Sequence, residues 1–334
     1  MTDLKRSLTG IRASGNLHLG NYLGCIREAI KLQEQYQCLY FIADMHALTT
    51  NKNPELLREQ TFDILAAWIA FGLDTEQHLM YRQSDLPMVG EYAWYLSCCT
   101  GLGLLQKAHS YKDAVAQSKE VSHGVFAYPV LMAADILMYD SDVVPVGKDQ
   151  KQHVEMARDM AGAVNAIYGE GTIKLPLPLI NEEVMLIPGL DGRKMSKSYG
   201  NEIALFIPEK ELKKRVMSIT TDSTPLEEPK TLEGTLIGQL YGHLATPAQQ
   251  KDLSARLAEG GMGWGHAKQE LYEILSATLK EPRERYFELR KDKEYLEKVF
   301  KDGATKAFDI GLPVLNRLRK AVGFKSFPLT RATS

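Results

Sequence analysis

The sequence predicts an α/β fold: a parallel sheet with covering helices over residues 1–200, then an all-helical part over residues 201–334. Three observations carry this expectation. Short continuous apolar runs alternate with helix-period patterns up to about residue 200. The runs close on polar loops, as strands of a parallel sheet do at the end where ligands bind. From Pro208 onward the patterns are almost all helical.

Taken in order, a first strand is expected ahead of a glycine-rich turn, followed by an amphipathic helix from about Tyr22 to Tyr36. Residues 38–44, CLYFIAD, read as a buried strand, an apolar run ending in a charge. Asn53-Pro54-Glu55 starts a helix, with Asn53 as N-cap and Pro54 at the first helical position. Its apolar face is Leu56, Leu57, Phe62, Leu65, Ala66 and Ile69, and Gly72 stops it. His78–Arg82 and Val143–Val146 read as further strands. Residues 220–232 are polar and proline-containing and suit a loop. Helical patterns follow, the last a long charged stretch from Trp264 to Phe300.

A chain of 334 residues accommodates one large or two moderate domains. Hydrophobic residues at 44% and charged residues at 25% exclude a disordered tail, a collagen or a coiled coil. Lys and Arg number 40 against 42 Asp and Glu, which excludes a wholly basic nucleic-acid coat. The charge is uneven: residues 281–334 carry 13 basic and 8 acidic residues, residues 1–280 carry 27 and 34. The basic end reads either as a solvated surface or as a contact for a polyanion. Cys25, Cys38, Cys98 and Cys99 form no CxxC pair and read as reduced structural thiols. No apolar stretch suits a signal peptide or a membrane span, and the longest candidate is interrupted by Asp135. A cytoplasmic protein that does not enter membranes is expected.

Three segments carry chemistry. Thr9–Tyr22 holds three glycines, His18 and Asn21 between a strand and a helix. Glycines let backbone approach a ligand, and a helix start offers N–H groups to phosphate. A turn with a helix cap has the same pattern. Lys194-Met195-Ser196-Lys197-Ser198 places two lysines three apart with two serines, suited to a polyphosphate or simply to an exposed loop. Val144–Gln150 closes a strand with Gly147, then offers Asp149 and Gln150 to ribose hydroxyls or an amine; Asp149 could equally cap the next helix. Asp135 stands among apolar neighbours, where a carboxylate is expensive unless bonded. It suits a helix cap, an arginine partner or an indole N–H.

His18-Leu19-Gly20-Asn21 and Lys194–Ser198, 176 positions apart, resemble the HIGH and KMSKS motifs of class I aminoacyl-tRNA synthetases. The second matches in all five letters. Residues 14–24, 43–49, 128–137, 144–159 and 301–307 extend the resemblance to the bacterial-type tryptophanyl branch over almost the whole chain. The resemblance implies a Rossmann catalytic domain over 1–200, a helical anticodon-binding domain over 201–334 and a homodimer. It implies that L-tryptophan and ATP give tryptophanyl-adenylate and pyrophosphate, and that tryptophan then moves to its tRNA.

Carried onto this sequence, it places His18, Lys194, Lys197 and, more loosely, Lys112 as catalytic groups at the phosphates. Arg12, Ala13, Ser14, Gly20, Asn21, Met195, Ser196 and Ser198 lie along ATP. Gly147, Lys148 and Asp149 hold the ribose side, and Val184 meets adenine through its backbone. Tyr128 and Gln150 face the amino group of tryptophan, Asp135 accepts the indole N–H, and Met132 and His46 line that pocket. The basic residues Arg317, Arg319 and Lys320 are expected on the tRNA. ATP comes with Mg2+ as a substrate complex, and no protein-held metal is expected. The chain lacks the spaced C-terminal cysteines of the iron–sulfur members, so no such cluster is expected. Arg12-Ala13 replaces the common Gln-Pro, and Lys148 stands where an acid is common. Three other readings stay open: a tyrosyl enzyme, a catalytically silent RNA-binding paralogue, and a nucleotidyltransferase for a small cofactor.

Overall fold

The computed structural model describes residues 4–13, 17–116, 121–147, 150–180 and 187–326. Five strands form one sheet: β1 (Arg6–Arg12), β2 (Gln37–Ala43), β3 (Leu79–Arg82), β4 (Val143–Val146) and β5 (Leu177–Ile180). Their order is β3-β2-β1-β4-β5 and every pairing is parallel. β1 is central because Arg6 through Arg12 pair with Gln37 through Ala43 on one side and Ser7 pairs with Val143 on the other. The chain order reverses between β1 and β4, and such a switch opens a crevice beyond the carboxyl ends of the strands. The expected β2, β3 and β4 are present within a residue or so. β5, a four-residue edge strand containing Pro178, went unforeseen. Thr9–Arg12 belongs to β1 rather than to the turn. Gly10 is therefore a strand residue, and the Phe41 ring stands where its side chain would be, 2.5 Å from an ideal Cβ.

The first connection begins at α1 (Leu19–Asn21), three residues before the expected start, passes through a π-helical stretch over Tyr22–Ile26, and continues as α2 (Arg27–Lys31). α3 (Asp44–Ala47) and α4 (Pro54–Ala70) follow β2. Asn53 caps α4 by accepting from the Leu56 N–H at 3.0 Å, with Pro54 in first position as expected. α5 (Met88–Cys99), α6 (Leu102–Leu105), α7 (His109–Ala116) and α8 (His123–Leu137) lead to β4. α9 (Lys151–Tyr168) leads to β5. Then come α10 (Glu209–Met217), α11 (Leu236–Leu244), α12 (Pro247–Ala258), α13 (Trp264–Lys291) and α14 (Lys293–Ala321).

The two halves share their cores. Leu296, Val299 and Phe300 of α14 bury with Phe62, Trp68 and Met80, and Ala307, Val314, Leu315 and Leu318 bury with α5 and α8. Conversely, Leu19 and Leu23 bury with Leu212, Leu240 and Leu275 of the helical part. Polar clasps reinforce the seam: Arg290 meets Glu59 and Asp63, and Arg82 meets Glu297. Among the described residues no helix is long and apolar enough to cross a membrane, and no cluster of side chains suits a metal ion. The four cysteines are free thiols.

Gly303 is the closest point of the seam. A Cβ there would stand 2.1 Å from the Met80 carbonyl oxygen of β3. Backbone cannot yield as a side chain can, so Gly303→Ala costs about 1–3 kcal/mol or more through overpacking. The expected outcome is a melting temperature lower by several degrees; an unchanged melt contradicts this seating of α14.

Candidate active site

The two motifs, far apart in the chain, meet. The Leu19 N–H donates to Ile203 O at 2.8 Å, the Leu205 N–H donates to Leu17 O at 3.1 Å, and His18 bridges Ala204. The Gly20 N–H donates to the Met195 sulfur at 3.3 Å across 175 positions. An ideal Cβ on Gly20 would stand 3.0 Å from His18 Nδ1 and 3.5 Å from Met195 Cβ, so a side chain there would crowd the imidazole rather than the second motif. His18 precedes α1 with extended backbone, and its N–H donates to Asn21 Oδ1 at 2.9 Å. Burial lowers the His18 pKa; Glu202 opposes this and Lys194 adds to it. The net shift favours the neutral imidazole, and its buried Nδ1 lacks a hydrogen-bond partner.

The second motif leaves a short hairpin in which Gly189 N–H donates to Arg193 O at 2.7 Å and Met195 N–H to Ile187 O at 3.0 Å. Asn201, a residue the sequence reading passed over, braces it. Its Oδ1 accepts from the Ser196 N–H at 2.8 Å, and its Nδ2 donates to Asp191 Oδ1 at 2.6 Å and Lys194 O at 3.2 Å. Met195 is buried, while Lys194, Lys197 and Ser198 are exposed. One buried anchor thus presents two cations to solvent.

A cavity of about 880 Å³ opens at the switch point. Thr9, Gly10 and Arg12 of β1, Val144–Gly147, Gly24 and Cys25 of the π-helical stretch, and Val125, Tyr128 and Met132 of α8 line it. π-helical turns often mark functional sites, and here the turn carries two wall residues. Burial pushes the Cys25 thiol up to about 11, so it stays protonated. Arg12 Nη2 donates to Thr49 and Thr50 Oγ1 at 2.9 Å each, which fastens this cation at the rim. Pro129 offers no N–H to the Val125 carbonyl, which leaves that acceptor one turn into α8 without its helical partner.

At one end His46 lines the cavity and its Nε2 lies 3.1 Å from Asp135 Oδ2. Asp135 is 3% exposed and stands behind this wall rather than in it. Gln83 Nε2 donates to both its oxygens, at 3.0 and 2.8 Å. Burial raises the Asp135 pKa, the bonds from His46 and Gln83 oppose this, and Asp44 adds to it. At the other polar side Tyr128 Oη lies 2.8 Å from His153 Nε2, and His153 Nδ1 lies 2.9 Å from Gln150 Oε1. This chain orders the two residues that the resemblance sets at an amino group. Sequence reasoning missed Gln83 and His153; no local pattern marks either.

The family model for tRNA synthetases class I (W and Y) matches residues 4–280. The chain belongs to this family. It is 46% identical to the tryptophan–tRNA ligase of Fusobacterium nucleatum over 320 residues, covering 96% of this chain and 98% of that one. The solved tryptophanyl-tRNA synthetase of Campylobacter jejuni, complexed with ADP and tryptophan, is 45% identical, with a TM-score of 0.89, covering 96% of this chain and 100% of that one. The Mycoplasma pneumoniae tryptophanyl-tRNA synthetase is 30% identical with a TM-score of 0.81, covering 97% and 99%.

Some residues carried over to this synthetase stand elsewhere than expected. Ser14, Lys148, Asp149 and Val184 lie outside the described residues. Ala13 is fully buried beneath the rim, and Lys112 is exposed on α7 and is not part of the cavity wall. Two of the basic residues expected on the tRNA make ion pairs within the fold. Arg317 pairs with Asp140 at 2.5 and 2.9 Å and donates to Thr172 O at 2.8 Å. Arg319 pairs with Glu91 and donates to Lys325 O at 2.7 Å. Both guanidinium groups dock α14 on the first half, so their charge is neutralised within the fold; only Lys320 is exposed. Arg317→Gln is therefore expected to lower stability by about 1–3 kcal/mol, the scale of charged hydrogen bonds. Unchanged melting with weakened tRNA binding would instead place Arg317 on the tRNA.

Proposed function

We infer that this chain is a tryptophan–tRNA ligase, activating L-tryptophan with ATP and transferring it to its tRNA. The observation that carries the reading is the direct seating of Gly20 on Met195, which unites both signature motifs of a synthetase; the cavity at the switch point, lined by Arg12, His46, Tyr128, Met132, Gly147 and Gln150, supports it. Such a cavity lies within the volume range of small-molecule sites, roughly 300–1,000 Å³. Relatives at 44–46% identity are named for tryptophan, which favours it over tyrosine.

The chemistry follows from placing charge. The tryptophan carboxylate attacks the α-phosphorus of ATP, brought in as its Mg2+ complex, and the bond to pyrophosphate breaks. Negative charge grows on the departing oxygens, and Lys194, Lys197 and Ser198 meet it. His18, neutral, gives a hydrogen bond without a second positive charge. Arg12, Ser14, Gly20 and Asn21 bracket the nucleotide, with Gly147, Lys148 and Asp149 at the ribose, Val184 at adenine and Lys112 at the phosphates. Tyr128 and Gln150 hold the amino group, Met132 and His46 pack on the indole, and Asp135 accepts its N–H. A terminal hydroxyl of the tRNA then attacks the acyl carbon, and AMP leaves. Residues 201–334 read the anticodon. A homodimer forms through the face bearing Trp94 and Leu102, 67% and 66% exposed, large apolar groups otherwise left in water.

Amino-acid-dependent pyrophosphate exchange into ATP, with the twenty amino acids tested separately, is expected to respond to tryptophan. Exchange with tyrosine instead would overturn the substrate. Lys197→Ala is expected to slow activation by about 10²–10³ with a smaller change in tryptophan affinity; near-normal single-turnover activation would remove Lys197 from the pyrophosphate.

A further inference from the structure

We propose that Gln83 is a positioning residue for amino-acid selection, holding the Asp135 carboxylate so that one oxygen alone is left to receive the indole N–H. The inference rests on the reading of tryptophan as substrate and of Asp135 as its acceptor.

The geometry begins with a count of lone pairs. A carboxylate has about four acceptor positions, two on each oxygen. Gln83 Nε2 takes one on Oδ1 at 3.0 Å and one on Oδ2 at 2.8 Å. His46 Nε2, 3.1 Å from Oδ2, takes the second there. The vacant acceptor is on Oδ1. Without Gln83 the carboxylate can turn about its last bond, and a single donor cannot hold both oxygens in place.

Gln83 itself cannot move. It is 1% exposed and opens a 3-10 turn, Gln83–Asp85, at the end of β3. The next side chain, Ser84, bonds Asp44, and the one after it, Asp85, bonds Arg82 at 3.0 Å. Asp44 is held in turn by the Met45 and Ser84 N–H groups, both at 3.0 Å. The amide orientation is also forced: exchanging its ends would set Oε1 against two carboxylate oxygens. In the orientation adopted, Oε1 is buried with no hydrogen-bond partner. A buried acceptor without a donor costs the desolvation of that oxygen, which an apolar side chain of the same length would avoid. Both bonds that the amide makes go to Asp135, so what it supplies is the satisfaction and the orientation of that carboxylate.

The test is pyrophosphate exchange with two amino acids, tryptophan and its analogue in which sulfur replaces the indole N–H. In Gln83→Met, KM for tryptophan is expected to rise about 10- to 100-fold, the scale of a hydrogen bond to a charged group. kcat, KM for ATP and KM for the sulfur analogue are expected to stay within about threefold, because the lost interaction concerns the N–H alone. A parallel rise for both amino acids would show a packing defect and overturn the proposal, as would no change for either. If Gln83→Met does not fold, Gln83→Glu keeps the shape while setting a second acid against Asp135, and the same split between the two amino acids is required of it. Wild-type enzyme that fails to distinguish tryptophan from the sulfur analogue would overturn the Asp135 contact itself, a separate failure from that of Gln83.

Discussion

The backbone pairing of Leu17–Leu19 with Ile203–Leu205 is the contact on which the site depends. It joins a segment following the first strand to one lying beyond the sheet, so two hydrogen bonds close a loop longer than half the chain. Closing so long a loop carries an entropic cost that two bonds do not offset. The apolar cluster beneath supplies the remainder: Leu19 and Leu23 bury with Ile203, Leu205, Leu212 and Val216. Met195 belongs to that cluster, and its sulfur receives the Gly20 N–H. The lysines on either side of Met195 are thereby carried to the site by a hydrophobic anchor, which leaves their own charges facing solvent.

The same logic governs the C-terminal helices. α14 lies directly on β3 at Gly303, and β3 ends one residue before Gln83. Arg82 is gripped from α14 by Glu297 and from its own turn by Asp85, at 2.5 and 3.0 Å. The end of β3 is consequently fixed from two sides, and with it the turn that faces Asp135. The helical part thereby acts as a wall of the sheet half.

Buried acids concentrate around this turn. Asp44 and Asp135 are 7% and 3% exposed, and each raises the question of what replaces its water. For Asp44 the answer is two backbone N–H groups and the Ser84 hydroxyl. For Asp135 it is an amide and an imidazole. A carboxylate satisfied by backbone is a structural fixture; one satisfied by side chains and short of a fourth donor is suited to recognition.

Local pattern was enough for much of the fold and of the chemistry. The apolar runs at 38–44 and 143–146 could be read as strands because continuous burial demands continuous hydrophobicity. Asn53-Pro54 marked the start of α4 through capping and backbone restriction. His18–Asn21 and Lys194–Ser198 could be read as a pair through their resemblance to the HIGH and KMSKS motifs, where composition alone left a helix cap and an exposed loop open. What only the tertiary structure decided were relations across long separations. That Arg317 and Arg319 pair with Asp140 and Glu91, distant in sequence, is one of them. Gln83, Asn201 and His153 carry no periodic or motif signal, because a side chain that positions another is chosen by a neighbour in space. Gly303 stood within a recognisable segment, yet the reason for a glycine there is a carbonyl oxygen of β3, more than two hundred residues earlier in the chain.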